Sequence, residues 1–100
     1  MATLSAVFSF SAEPATTASL GATTSTSEIV LGNDRKFAIT ATGAFNVKMG
    51  NSGMSAAAAT DFEFPASAVF TIATNSSQDR IRIFNPGGSS INYWVQPLAN

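Results

Sequence analysis

Apolar residues recur at every second position through most of this chain, and clusters of turn formers interrupt them about every eight to twelve residues. That spacing demands strands, because a helix needs a period near 3.6. Leu4, Ala6, Phe8 and Phe10 alternate with Ser5, Val7, Ser9 and Ser11, which predicts a strand over 4–12 with one apolar face. Glu28-Ile29-Val30-Leu31 is a short apolar run ended by Gly32-Asn33-Asp34. Phe37, Ile39 and Ala41 then alternate with Lys36, Ala38 and Thr40, and Phe45, Val47 and Met49 with Asn46 and Lys48. Thr42-Gly43 between these two runs predicts a tight hairpin.

The second half repeats the pattern. Four consecutive alanines, 56 to 59, are too short a run for a stable isolated helix and read as a loop. Phe62 and Phe64 flank Glu63 ahead of Pro65, and Ala68, Phe70 and Ile72 share a face. Arg80-Ile81-Arg82-Ile83-Phe84 puts both isoleucines on one side and both arginines on the other. Ile91, Tyr93 and Val95 alternate with Asn92, Trp94 and Gln96, and Pro97 ends that run. One hundred residues allow one domain. The prediction is all-β: a single-domain antiparallel β-sandwich, jelly-roll-like, of about eight strands. The expected core is rich in phenylalanine: Phe8, Phe10, Phe37, Phe45, Phe62, Phe64 and Phe70, with Ile39, Val47, Ile72, Ile81, Ile83, Tyr93 and Val95.

Residues 13–27 break the pattern. They are nearly all Ala, Ser and Thr, with Leu20 as the one large apolar side chain. Such a stretch buries too little to hold itself in place. Two readings stand: a loop, or an extended arm laid on a neighbouring subunit with Leu20 as its anchor.

Composition narrows the function. The chain has no His and no Cys, so imidazole bases, thiol chemistry, disulfides and zinc–cysteine sites are excluded. No Gly-x-Ser-x-Gly occurs, and Gly87-Gly88 is not followed by the Lys-Ser/Thr of a phosphate loop. No cofactor site is predicted. Asp61 and Glu63 lie two apart on one strand face and read as a solvated face. A carboxylate pair for hydrolysis, or a calcium site shared with Asp79, is the chemical alternative. The net charge is −1, which does not suit a nucleic-acid binder. No run approaches the 18 or so apolar residues of a membrane span, and residues 1–5 lack the basic start of a secretory signal.

Only 11% of residues are charged, against about 25% in an average domain. Ala, Ser and Thr make up 41 of the 100, so small neutral groups must cover the solvent face. That surface favours a life docked on partners, as a homo-oligomer or on a larger body. Trp94 faces away from Tyr93 and serves as an interface anchor, as packing for the second side of the sheet, or as a sugar platform. Arg80 and Arg82, with Lys36 and Lys48, form either a basic strip for an acidic partner or solvated faces paired with Asp61 and Glu63.

Residues 35–97 resemble small structural proteins of tailed bacteriophages. The resemblance rests on Arg35-Lys36-Phe37-Ala38-Ile39-Thr40 with Gly43, then Phe45-Asn46-Val47-Lys48-Met49-Gly50. Phe64-Pro65-Ala66 leading to Val69-Phe70, and Asp79-Arg80-Ile81-Arg82-Ile83-Phe84-Asn85 leading to Tyr93-Trp94-Val95, complete it. The layout is similar to that of capsid decoration (cement) proteins and minor head proteins. It implies a non-enzymatic virion protein, assembled in the host cytoplasm, that binds the major capsid protein or other virion proteins. It brings no catalytic residues, no nucleic-acid contact and no membrane. The expected contact residues are Leu20, Arg80, Arg82 and Trp94. The alternative is a carbohydrate-binding module or a tail, neck or fibre component that uses Trp94 as a stacking platform, with Tyr93, Asn92 and Gln96 beside it.

Overall fold

The computed structural model describes residues 10–99. Eight strands occupy them: β1 (Thr16–Leu20), β2 (Ile29–Val30), β3 (Lys36–Ala41), β4 (Phe45–Gly50), β5 (Phe62–Phe64), β6 (Phe70–Ala73), β7 (Arg80–Phe84) and β8 (Ile91–Pro97). They form two four-stranded antiparallel sheets, ordered β1-β8-β3-β6 and β2-β7-β4-β5. The pairs β1 with β8, β2 with β7, β3 with β6 and β4 with β5 nest like one long hairpin. The pairs β3 with β8 and β4 with β7 then roll that hairpin into a sandwich. This order is that of a jelly roll, and the all-β antiparallel sandwich agrees with the fold class expected from sequence. No helix among the described residues is long and apolar enough to cross a membrane.

The Thr42-Gly43 turn is not a hairpin. β3 and β4 lie in different sheets, and the turn is a corner between them. Ala41 and Phe45 are both buried, so the apolar face continues round the corner. Alternation records which face is buried and says nothing about which strand lies alongside. The corner is tied to the end of β8: Thr42 N donates to Asn92 O at 2.9 Å, and Asn92 N donates to Thr42 Oγ1 at 2.9 Å. Gly43 is required by close approach, because a Cβ there would lie 2.5 Å from Ile91 Cγ2.

Residues 13–27 contain a strand. β1 pairs with β8 from Thr16 opposite Val95 to Leu20 opposite Ile91. Its residues before Leu20 are exposed, and Leu20 itself enters the core at 7% exposure. Main-chain hydrogen bonds to β8 hold this segment, so its poor apolar content did not reveal it. The predicted strand over 4–12 falls mostly outside the described residues. Among its described residues Phe10 makes a bridge, opposite Leu98, and is 62% exposed rather than in the core.

Phe37, Phe45, Ile39, Ile81, Ile83 and Val95 are fully buried between the sheets. Leu20, Leu31, Val47, Ile91 and Tyr93 complete that cluster. The expected core contained three further phenylalanines among the described strands that lie outside it or only partly inside. Phe64 and Phe70 are half-buried, and Phe62 is 74% exposed. β5 and β6 are edge strands, one in each sheet, and their rings close the gap between the sheets. Ring centroids run Phe45 to Phe64 at 5.2 Å and Phe64 to Phe70 at 4.7 Å, and Phe62 stands edge-on to Phe64 at 5.1 Å. Phe62 lies past the end of this contact and overhangs it.

Two substitutions test this packing in urea denaturation. Phe45→Ala should lose about 3–5 kcal/mol by removing a fully buried ring. Gly43→Ala should lose about 1–3 kcal/mol through its clash with Ile91, and adding Ile91→Ala should make the second loss smaller than additivity predicts.

Candidate interaction surface

The two outer faces of the sandwich differ in kind. The outer face of β2-β7-β4-β5 carries Arg80, Arg82, Asn46 and Lys48. Its centre is covered by the chain's own connection between β4 and β5, residues 51–61, while Val30 and Glu63 at its two edges stay exposed. Arg82 Nε donates to Thr26 O at 2.8 Å, and its Nη1 donates to Met54 O at 3.2 Å. Asn46 Nδ2 donates to Asp61 O at 2.9 Å, and Lys48 Nζ donates to Ser55 Oγ. Ala57 N donates to Ser25 Oγ at 3.1 Å, and Ala57 is buried. The segment ahead of β2 is bulged, with Ser25 opposite Phe84 but Ile29 opposite Ile81, and one extra residue lies between.

Arg80 is also engaged within the chain. Its Nε donates to Asp79 Oδ1 at 2.9 Å, and its Nη1 donates to Glu28 Oε1 at 2.8 Å. The bonds to Asp79 and Glu28 hold the guanidinium above its ordinary pKa. Its hydrogen bonds hold both the Glu28 and Asp79 carboxyls below the usual carboxylate range. Glu13 is lowered in the same way by Arg35. The expected pairing with Asp61 and Glu63 is therefore replaced by Glu28 and Asp79. Asp61 accepts instead from Ala58 N at 2.8 Å, which shapes the loop. Among the described residues no group of three or more acidic side chains is placed to hold a metal ion.

The outer face of β1-β8-β3-β6 is open. Register sets its rows: Thr17, Trp94 and Thr40 across three strands, Ser19 beside Asn92, and Gln96, Ala38 and Thr71. None of these is charged; Lys36, opposite Ala73 at the start of β3, is the one charged side chain on the face among the described strands, and it is exposed. Thr17, Ser19, Asn92 and Thr71 are exposed, and Trp94 is 40% exposed. Beside Trp94 lies a groove of about 220 Å³ whose walls include Phe10, Ala15, Ala38, Thr40 and Val69. Its polar groups are turned away. Thr40 Oγ1 donates to Ala68 O at 2.8 Å, and Gln96 Nε2 donates to Glu13 O at 3.2 Å and Pro97 O at 3.0 Å. What remains is carbon.

Of the four contact residues expected from sequence, only Trp94 lies on this face. Leu20 is in the core, and Arg80 and Arg82 are on the opposite, covered face. Tyr93 is buried, which raises its hydroxyl pKa, so it cannot share a stacking platform with Trp94. The groove residues Ala15, Ala38 and Val69 carried no local signal, because only strand order brings them together.

No protein-family model matches the chain, and no curated protein matches it. Among solved structures, the chain is similar to the solution NMR structure of a de novo designed double-stranded β-helix. The TM-score is 0.62 at 14% identity, over 85% of this chain and 99% of the design. That likeness concerns the fold alone.

The ion pairs predict a pH dependence. Glu28, Asp79 and Glu13 have folded pKa values below their unfolded ones, so their contribution is complete above the unfolded carboxylate range. It is lost as pH falls through the folded values. Chemical denaturation from neutral to acid pH should show that loss, and Glu28→Gln should make it shallower. Arg82→Ala should cost about 1–3 kcal/mol and speed amide exchange at Ala57.

Proposed function

We propose that this chain is a non-enzymatic virion structural protein of the capsid-decoration type. It binds the outside of a phage head through the open face of β1-β8-β3-β6, with Trp94 as anchor. The observation that carries this reading is the asymmetry of the sandwich. One outer face is largely covered by the chain's own loop, and the other is left open, charged only at Lys36 near one end, and centred on a half-exposed tryptophan. The resemblance of residues 35–97 to cement and minor head proteins supports the same reading. The groove beside Trp94 is lined by no titratable side chain, which suits contact rather than catalysis.

Geometry bounds the strength of one contact. Four strands about 4.8 Å apart, with about six residues each rising 3.3 Å, give a face of roughly 400 Å². That is about half of what each partner buries in a standard interface. A single copy therefore binds weakly, and durable occupancy requires linked copies on a repeating lattice, where effective concentration replaces affinity. A face with Lys36 as its one charged side chain among the described strands also makes the binding little sensitive to salt.

The test is quantitative mass spectrometry of gradient-purified particles. A ratio to the major capsid protein near one, or a simple fraction of it, is expected. A handful of copies per particle would move the protein to a neck, tail or vertex, and absence would overturn the reading. Trp94→Ala should lower occupancy while leaving the unfolding midpoint nearly unchanged, and equal occupancy would reject Trp94 as the anchor. Glycan-array binding lost in Trp94→Ala would favour a carbohydrate-binding module instead.

A further inference from the structure

Residues 51–61 lie over the Arg82 face without adding a strand or helix to it. Ala57 is the one residue among them that is buried, and Met54 and Asp61 are half-buried. Their ties to the face are polar and single: Lys48 to Ser55, Arg82 to Met54, Ser25 to Ala57, and Asn46 to Ala59 and Asp61. One tie differs in kind. Gly53 N donates to Glu28 Oε2 at 3.0 Å, while Oε1 of the same carboxylate accepts from Arg80 Nη1 at 2.8 Å. We propose that residues 51–61 form an acid-released strap latched by Glu28, which lifts ahead of the sandwich and bares Lys48 and Arg82.

The latch follows from the donors around Glu28. An ionised carboxylate only accepts, and each of its oxygens here already faces an N–H. A proton on either oxygen sets an O–H against an N–H, so protonation breaks one of the two bonds. The Arg80 bond keeps a charged donor after protonation, and Asp79 fixes that guanidinium from its other side through Oδ1 and Oδ2. The Gly53 bond then joins two neutral groups, so it is the one that yields. Gly53 has a φ of 83° in a turn closed by Met54 N donating to Asn51 O at 3.1 Å, and that turn carries its amide to Glu28.

The charged groups that face Glu28 are Arg80 and Arg82 from β7 and Asp79 ahead of β7. The strap adds none before Asp61, which accepts from Ala58 N within the strap, and Lys48 of β4 turns to Ser55. Arg80 holds the Glu28 carboxyl below the usual carboxylate range, so release comes in acid, below that range. The ties from Lys48, Arg82, Ser25 and Asn46 do not titrate there. Lifting the strap has a consequence. Lys48 and Arg82 stand directly opposite each other across β4 and β7, and neither makes a salt bridge among the described residues. Such a like-charged pair is unfavourable by itself. Once Met54 O and Ser55 Oγ leave, the two cations meet solvent side by side, where one carboxylate or oxyanion can bridge them. This face lies opposite to Trp94, so the proposal stands or falls independently of the capsid reading.

Amide exchange of the full chain, followed by NMR and divided by the intrinsic rate at each pH, tests it. From neutral to acid pH, Gly53 and Ala57 should lose roughly tenfold in protection, the scale of one hydrogen bond to a charged group. Thr42, whose amide is bonded to Asn92 O, should keep its protection over the same range. Glu28→Gln has one accepting and one donating end, so its strap should already be loose at neutral pH and show no further step in acid. Ser25→Ala should loosen Ala57 at neutral pH and keep the acid step at Gly53. A step that persists in Glu28→Gln, a step abolished by Asp61→Asn instead, or protection at Gly53 and Ala57 that is lost only together with Thr42 would overturn the proposal.

Discussion

β8 pairs with β1 on one side and β3 on the other, and that double pairing decides which side chains meet solvent. Ile91, Tyr93 and Val95 enter the core, so Asn92, Trp94 and Gln96 must face out. The same strand holds the low-complexity segment through β1, anchors the Thr42-Gly43 corner at Asn92, and forms the Trp94 wall of the groove. A polar substitution at Val95 would disturb all three, because it would bury an unpartnered polar group under the middle of this strand.

The strands and the inner face were readable from period alone, because a half-buried sheet writes its burial into every second residue. Ile81, Ile83, Phe37 and Val47 were placed in this way. Order between strands was not readable. Thr42-Gly43 has the composition of a hairpin turn, yet it joins two sheets, and Gly43 is there because Ile91 passes close by. Residues 16–20 lack apolar content because an edge strand is held by main-chain bonds. Phe62 reads as core by its alternation and lies outside because β5 ends the sheet.

The candidate surface was legible at one residue. Trp94 is marked by its outward register, and this follows from its neighbours in sequence. Arg80 and Arg82 also face outward, but their partners Glu28 and Thr26 stand more than fifty residues away and are delivered by the fold. With so few charges in the chain, using these two internally strips one face of free cations. The other face carries one, Lys36 at the start of β3. The outcome is a sandwich whose arginines are tied up on one side and whose other side, with Lys36 as its one charged side chain among the described strands, is available.

Site-selective labelling tests that asymmetry most directly, since the chain has no native cysteine to interfere. Asn92→Cys places a thiol on the open face and Ser52→Cys places one on the loop over the covered face. Maleimide labelling is compared between free protein and protein bound to particles. The account predicts that both thiols label when free, and that on the particle Cys at 92 is protected while Cys at 52 still reacts. Protection of position 52 with free reaction at position 92 would contradict it.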